Sequence, residues 1–379
     1  MRDRLRHLRF NRDELSGSLG DLGTFIPLTA SLIIVCGLDA GTVLVFAGLF
    51  NILTGIIFNQ PVPVQPMKAI AAVAIAQQLL PVEIAAAGFT AGMVILALGM
   101  TGTVEWAERV IPRPVVRGIQ LGVGLKLASK GVSMVMGLGW AGLDSRVVAL
   151  LAVALVLLGN RWKKFPSALV IFLGGILILF VGHGELLSGL TLGWRGPEFI
   201  FPQWGAWKVG MLQGALPQIP LTLLNSVIAV CALSSELYPG RGIPAKKMAV
   251  SVGLMNIGAC LFGAMPACHG SGGLAAQHRF GARTGGSVVA LGTAKIFLGL
   301  VFGAAAVSFM TWYPASVLGV LLVFAGLELT LPARKCADRE EFFVAVATAC
   351  GIIAVNTWVG FVLGLLAAFF LLGSSKSRQ

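Results

Sequence analysis

The chain has 379 residues, 56% hydrophobic and 12% charged, with a mean hydropathy of +0.88; an ordinary soluble domain is roughly 25% charged. That balance excludes a soluble protein and points to one built into a lipid bilayer. The net charge of +12 comes with no nucleic-acid module, so the basic excess reads as the positive-inside bias of a multispanning protein.

The opening stretch MRDRLRHLRFNRDEL is basic but lacks the apolar core and small-residue cleavage site of a secretory signal, so it is expected to stay on the chain. Apolar runs of spanning length then recur to the end. They are continuous rather than alternating, which favours helices over barrel strands. The spacing predicts an all-α polytopic membrane protein of about fourteen segments, starting near residues 14, 40, 66, 83, 112, 145, 166, 206, 244, 270, 286, 314, 340 and 356.

Segment one, GSLGDLGTFIPLT, carries Asp21 at membrane depth. A buried carboxylate there is a candidate to carry a coupling proton, or the partner of a salt bridge. Next comes the stretch NQPVPVQPMKAIAAVAIAQ. Pro61, Pro63 and Pro66 force PVPVQP into an extended conformation, so a helix is expected to start only at about Pro66. Its free N–H groups then point from mid-bilayer into a cavity, because irregular backbone at that depth must be buried in protein or line one. Lys68 adds a full charge at the first turn, where the helix dipole repels it and an anion or a carboxylate such as Asp21 must offset the cost.

GLGWAG at Gly137 matches a dinucleotide pattern but follows no strand, and no GxxxxGK[ST], HExxH or GxSxG occurs. No enzyme, metal or cofactor constellation is expected. The six cysteines lie mostly inside apolar segments without CxxC spacing and read as small hydrophobes. Further along, LPQIPLT repeats the IPLT of segment one and brings Gln218 and Thr222; with Gln65 and Thr24 these are neutral groups able to donate to an oxyanion or to a neighbouring helix. PACHGSGGLAAQ makes a second break with glycines: Gly270, Gly272 and Gly273 permit close approach of a ligand, and Ser271 is expected to cap the helix that follows. His269 beside Cys268 lacks a second ligand pair at metal-binding spacing. Glu328, in GLELT, is a weaker coupling candidate because it can snorkel from a helix end.

Most of the 28 lysines and arginines fall in alternate loops if the N-terminus is inside. The inner groups include Arg109, Arg161, Lys163, Lys164, Arg279, Arg334 and Lys335; the outer side keeps Lys126, Lys130, Arg146, Arg195 and Lys208. Both termini are therefore expected in the cytoplasm. The long polar break divides the chain into a first repeat (1–182), a connecting loop (183–205) and a second repeat (206–379). NILTGIIFNQPVPVQPMKAIA from Asn51 and NIGACLFGAMPACHGSGGLAA from Asn256 match in register at Asn51/Asn256, Pro61/Pro266 and Ala71/Ala276, and GLKL at Gly124 recurs as GLEL at Gly326. An odd number of spans per half makes the repeats inverted, the arrangement of secondary transporters. Inversion points the two broken helices' N-termini at each other, which makes an anion site from backbone amides and helix dipoles.

GDLGTFIPL from Gly20, FNQPVPVQPMKAIAAVAIA from Phe58 and PACHGSGGLAAQHRFGARTGG from Pro266 resemble the signature stretches of the molybdate transporter family, a branch related to the sulfate permeases. The resemblance runs over nearly the whole chain. It implies a 7+7 inverted repeat like that of the uracil permease, with two half-helices preceded by short extended segments. Segments 1–4 and 8–11 would form a core and segments 5–7 and 12–14 a gate. By position it implies a substrate region of Thr24, Gln65, Lys68, Ser271, Gly272 and Gly273, to which the pattern adds Gln218. Sulfate permeases commonly carry a C-terminal cytoplasmic regulatory domain; the end at GSSKSRQ fits the branch without one. The expectation is a secondary active transporter in the plasma membrane, moving a tetrahedral oxyanion, first molybdate, with sulfate, tungstate or channel-like flux as alternatives. Proton symport through Asp21 or Glu328 and a homodimer complete it.

Overall fold

In the computed structural model, residues 8–104, 106, 112–159, 161–162, 166–184, 191–194 and 196–375 are described. The basic residues Arg2, Arg4, Arg6, Arg109, Lys163, Lys164, Arg195, Lys376 and Arg378, on which part of the charge-bias reading rests, lie outside them, as do parts of the connection between the halves.

The helices follow in the order α1 (Arg12–Cys36), α2 (Ala40–Phe58), α3 (Lys68–Gln77), α4 (Pro81–Thr101), α5 (Arg113–Met136), α6 (Arg146–Gly159) and α7 (Ser167–Gly182). The second half holds α8 (Trp204–Leu237), α9 (Ala245–Phe262), α10 (Ser271–Phe280), α11 (Gly286–Trp312), α12 (Ala315–Lys335), α13 (Arg339–Ala354) and α14 (Thr357–Ser375). Among the described residues, α1, α2, α4, α8, α9, α11 and α12 are long and apolar enough to cross a membrane, and α3, α6, α7 and α14 are shorter apolar helices. α5 fails that composition test because Arg113, Arg117, Lys126 and Lys130 dilute its apolar content.

Two short strands precede the two ten-residue helices, α3 and α10. β1 (Gln65–Pro66) pairs antiparallel with β2 (Ala267–Cys268), and the Met67 N–H extends the pairing by donating to the Pro266 carbonyl at 2.8 Å. α3 therefore begins at Lys68 rather than at Pro66: Pro66 is held extended by its strand partner, and Met67 is the N-cap. On the other side Gly270 is the N-cap of α10.

Asn256 of α9 anchors β2. Its amide nitrogen donates to the Val252 and Ala267 carbonyls, and its oxygen accepts from the Ala267 N–H at 2.9 Å. Each buried backbone group thereby gains a partner where water is absent.

The core is centred on α3, whose residues Ala69 to Ile75 are almost fully buried. Leu150, Leu151, Leu177, Phe369 and Phe370 are exposed on peripheral helices, the pattern expected where lipid is the solvent. Long helices pack in pairs: α2 on α11, α4 on α9 and α5 on α12. Small residues allow the backbones to approach. A Cβ on Gly124 would stand 2.6 Å from the Gly326 carbonyl oxygen, and one on Gly326 would stand 2.5 Å from that of Gly124.

Two helices near the crossing are irregular. α1 tightens to a 3₁₀ turn at Leu19–Asp21, and α8 widens to π-helical turns at Gly210–Ala215 and Thr222–Ile228. Pro217 and Pro220 sit between the widened turns of α8, where a proline's missing N–H breaks the regular ladder.

Asn256→Ala strips the buried Ala267 amide and carbonyl of their side-chain partner. We expect a loss of about 2–4 kcal/mol, read as a lower melting temperature in detergent, whereas the exposed-face change Leu150→Ala leaves it unchanged.

Candidate substrate site

A cavity of about 740 Å³ opens beside the strand crossing. Its inner end is formed by the first residues of α3 and α10, Lys68, Ser271 and Gly272, and by Thr24 of α1 and Asn225 of α8. Gln120 of α5 and Leu321 and Phe324 of α12 form the facing wall. Arg279, Glu328, Arg334 and Lys335 also line it.

The antiparallel strands bring the starts of α3 and α10 to one place, but the two ends offer different chemistry. At α10, no group among the described residues accepts from the N–H groups of Ser271, Gly272 or Gly273, since the first bond from this segment is Leu274 N–H to the Gly270 carbonyl. At α3, Gln218 Oε1 already accepts from Ala69 at 2.8 Å and Ile70 at 3.3 Å. The expectation that free amides of both half-helices face the cavity is thus corrected at α3, whose Ala69 and Ile70 amides are taken by Gln218; α10 supplies open amides and α3 chiefly the Lys68 ammonium.

Gln218 is fully buried and does not line the cavity; its nitrogen donates to Thr222 Oγ1 at 2.8 Å. Its polar capacity caps α3. Ser271 does not cap α10 as expected; its hydroxyl donates to Asn225 Oδ1 at 2.9 Å, which ties the half-helix to α8. Thr24 and Gly272 both line the cavity, and a Cβ on Gly272 would meet nothing within 4 Å.

Asp21 and Gln65 lie behind the first turn of α10 rather than in the cavity lining. Gln65 Nε2 donates to Asp21 Oδ1 at 2.5 Å; Asp21 Oδ2 and Gln65 Oε1, both buried, have no partner among the described residues. Gly273 is what lets this pair sit so close. A Cβ there would lie 2.5 Å from Gln65 Nε2, 2.7 Å from Pro63 Cγ and 2.8 Å from Asp21 Oδ1.

The alternative of a Lys68–Asp21 ion pair is not formed among the described residues. Lys68 is half-buried with no hydrogen-bond partner there, although its charge and that of Lys295 both act on Asp21. Glu328 sits exposed in the last turns of α12, among Arg279, Arg334 and Lys335. The cavity is therefore lined by a net positive charge, which concentrates anions.

Sequence reasoning passed over Lys295. This α11 residue is 3% exposed; its ammonium donates to Asn51 Oδ1 at 2.9 Å and lies 3.4 Å from the centre of the Phe25 ring. Phe25 stands one helical turn beyond Asp21, so a cation flanks the carboxylate on the side away from the cavity. The signal available was a charged residue inside an apolar run. Arg279 follows Gly272 and Ala276 along one face of α10, a periodicity that was also readable.

His269 is structural. Its Nδ1–H donates to the Pro63 carbonyl at 2.9 Å, so Nε2 accepts from the Ser251 hydroxyl at 3.0 Å. No cluster of metal-ligating residues occurs among the described residues.

The sequence profile of a family described as "Molybdate transporter of MFS superfamily" matches residues 13–127 and 210–329. "Molybdate transporter 2" of Arabidopsis thaliana is 39% identical over 98% of this chain and 89% of its own length. The chain belongs to the molybdate transporter family.

Its fold is shared with two solved anion-transporter structures. The transmembrane domain of a cyanobacterial bicarbonate transporter, BicA, superimposes with a TM-score of 0.67 at 15% identity, covering 94% of this chain and 99% of that one. Murine Slc26a9, described as an anion transporter in the inward-facing state, gives 0.69 at 16%, covering 98% of this chain and 70% of that one. Membership of that family makes this chain a transporter rather than an enzyme, with a fold shared by these two structures.

Gly272→Ala and Gly273→Ala separate binding from architecture. Gly273→Ala displaces Asp21 and Gln65 and is expected to lower thermal stability by about 1–3 kcal/mol. Gly272→Ala is expected to fold normally yet weaken oxyanion binding in calorimetric titration, because its methyl enters the cavity beside the open amides.

Proposed function

We propose that the protein is a secondary active importer of a tetrahedral oxyanion, molybdate first, held where Lys68 faces the open amides of Ser271, Gly272 and Gly273. The carrying observation is that Ser271 and Gly272, whose N–H groups meet no acceptor among the described residues, form one end of a positively lined cavity together with Lys68, while Gly273 follows them in the buried part of the same turn. An oxyanion's acceptors match backbone N–H groups at a helix start, and its charge offsets the cost of Lys68 beside the α3 dipole. Thr24 adds a hydroxyl. In this reading Gln65, Gly273 and Gln218 hold the two half-helix ends in shape.

The architecture we infer is fourteen segments in a 7+7 inverted repeat, residues 1–182 and 206–379 joined by 183–205. Core helices α1–α4 and α8–α11 rock against gate helices α5–α7 and α12–α14. The packing supports it: the α2–α11 and α4–α9 interfaces exchange under such a two-fold, while α3 meets α10 through the strands and α5 meets α12 through mutual glycines. The cavity lies along the seam between the two groups and runs to Arg279, Arg334 and Lys335, on the side that charge bias assigns to the cytoplasm. We therefore read the state as inward-open, with cytoplasmic termini and the plasma membrane as location; a homodimer is part of the same proposal.

Proton coupling follows from like charge. A dianion at the first turn of α10 and the Asp21 carboxylate behind it repel each other in a low-dielectric setting, and a proton on Asp21 removes that repulsion. Glu328, at the exposed mouth, has less leverage.

Uptake of radiolabelled molybdate into proteoliposomes, with sulfate as competitor, tests the reading. Lys68→Ala is expected to weaken uptake efficiency about tenfold or more, equivalent to losing one charge-assisted hydrogen bond of roughly 1.5–3 kcal/mol. Asp21→Asn is expected to equilibrate molybdate without accumulating it under an inward proton gradient. Folded protein that moves no molybdate under any imposed ion gradient would falsify the proposal.

A further inference from the structure

A second cavity, of about 640 Å³, is lined by Ala76 and Gln77 at the end of α3, by Lys126, Ser129, Lys130 and Ser133 of α5, and by Ile353 of α13. Leu125 of α5 lines it too; Lys126, Ser129, Lys130 and Ser133 follow the i, i+3, i+4, i+7 spacing of a single helix face. No acidic side chain lines this cavity, and neither ammonium has a hydrogen-bond or ion-pair partner among the described residues.

Its position relative to the substrate site is set by two helices. α3 starts in the first cavity at Lys68 and ends in the second at Gln77, so one ten-residue half-helix separates them. That distance is about 15 Å at 1.5 Å per residue. α5 likewise contributes Gln120 and Leu127 to the first cavity and its lysine face to the second. The first cavity runs towards Arg279 and Arg334; the second lies beyond the opposite end of α3, on the side an imported solute must come from.

We propose that Lys126 and Lys130 form an outer collecting site for the transported oxyanion, a second station in line with the central one, a statement that rests on the import function proposed above. The negative end of the α3 dipole accounts for cations near Gln77. It does not account for an open basin with two hydroxyls and an amide alongside them. Two lysines facing a tetrahedral dianion give a strong encounter potential, and Ser129, Ser133 and Gln77 supply neutral donors that replace part of its hydration. The site lies at the seam between α3 and α5, a core and a gate helix, so rocking that opens the outer side exposes it towards the central amides.

The experiment is initial-rate molybdate uptake by the full chain in net-neutral phosphatidylcholine vesicles, across molybdate concentrations, at about 10 mM and about 150 mM ionic strength, where the screening length falls from about 30 Å to about 8 Å. Three proteins are compared: unmodified, Lys126→Gln/Lys130→Gln and Lys126→Arg/Lys130→Arg. At low salt the Gln pair is expected to lower uptake per unit molybdate about fivefold with the saturated rate unchanged, and the deficit should shrink below about twofold at high salt. The Arg pair should keep the unmodified behaviour. An equal deficit at both salt levels, a deficit shared by the Arg pair, or none at all overturns the collecting site while leaving the central one standing. If added phosphatidylglycerol is needed for the lysines to matter, they hold a lipid phosphate and the proposal fails. An unmodified protein that moves no molybdate removes the central reading and this one together.

Discussion

A backbone inside a bilayer must satisfy its own N–H and C=O groups, and here two chain breaks at membrane depth satisfy each other. The pairing of β1 with β2, extended by Met67 to Pro266, is the only β pairing among the described residues. Remove it and two proline- or glycine-rich segments are left with unpartnered polar backbone at a cost of several kcal/mol each. Because the strands run antiparallel, the helices that leave them start together and diverge. That single geometric fact places Lys68 and the α10 amides around one cavity.

Buried polar side chains then fix what the strands begin. Asn256 holds β2 to α9, His269 bridges Pro63 and Ser251, and Gln218 caps α3 from α8. Each links an element of one half to an irregular segment at the crossing. The irregular turns of α1 and α8 lie beside it, where the ladder is already interrupted. Among the described residues, one carboxylate oxygen of Asp21 and the amide oxygen of Gln65 are two of several buried side-chain atoms without a partner, and these two lie side by side behind the first turn of α10.

Much of this was legible from letters. Prolines 61, 63 and 66 dictate an extended segment whatever the fold, and the segment starts read from apolar runs fall close to helix starts at Ala40, Ala245, Gly286 and Ala315. The glycine break before Ser271 was equally plain. What spacing does not encode is which polar group satisfies which. Gln218 reads from the sequence as a partner for an oxyanion or for a neighbouring helix, because a glutamine at depth signals a demand for hydrogen bonds without naming the partner; the structure gives it the neighbouring helix, at the α3 amides. Ser271 was read as a cap because serine commonly is one, but the close approach of α8 brings Asn225 to its hydroxyl. Lys295 was passed over because its partners, Asn51 and Phe25, come from segments far away in sequence.

The open donors of α10 belong to the main chain, two of them to glycines. No point mutation short of proline deletes a main-chain N–H, so this half of the proposed recognition surface is largely shielded from genetic drift. With the solute held as proposed, evolution of a new preference among anions of similar shape would have to proceed through the surrounding wall, by resizing Thr24, Gln120 or Phe324, while the peptide groups stay chemically constant.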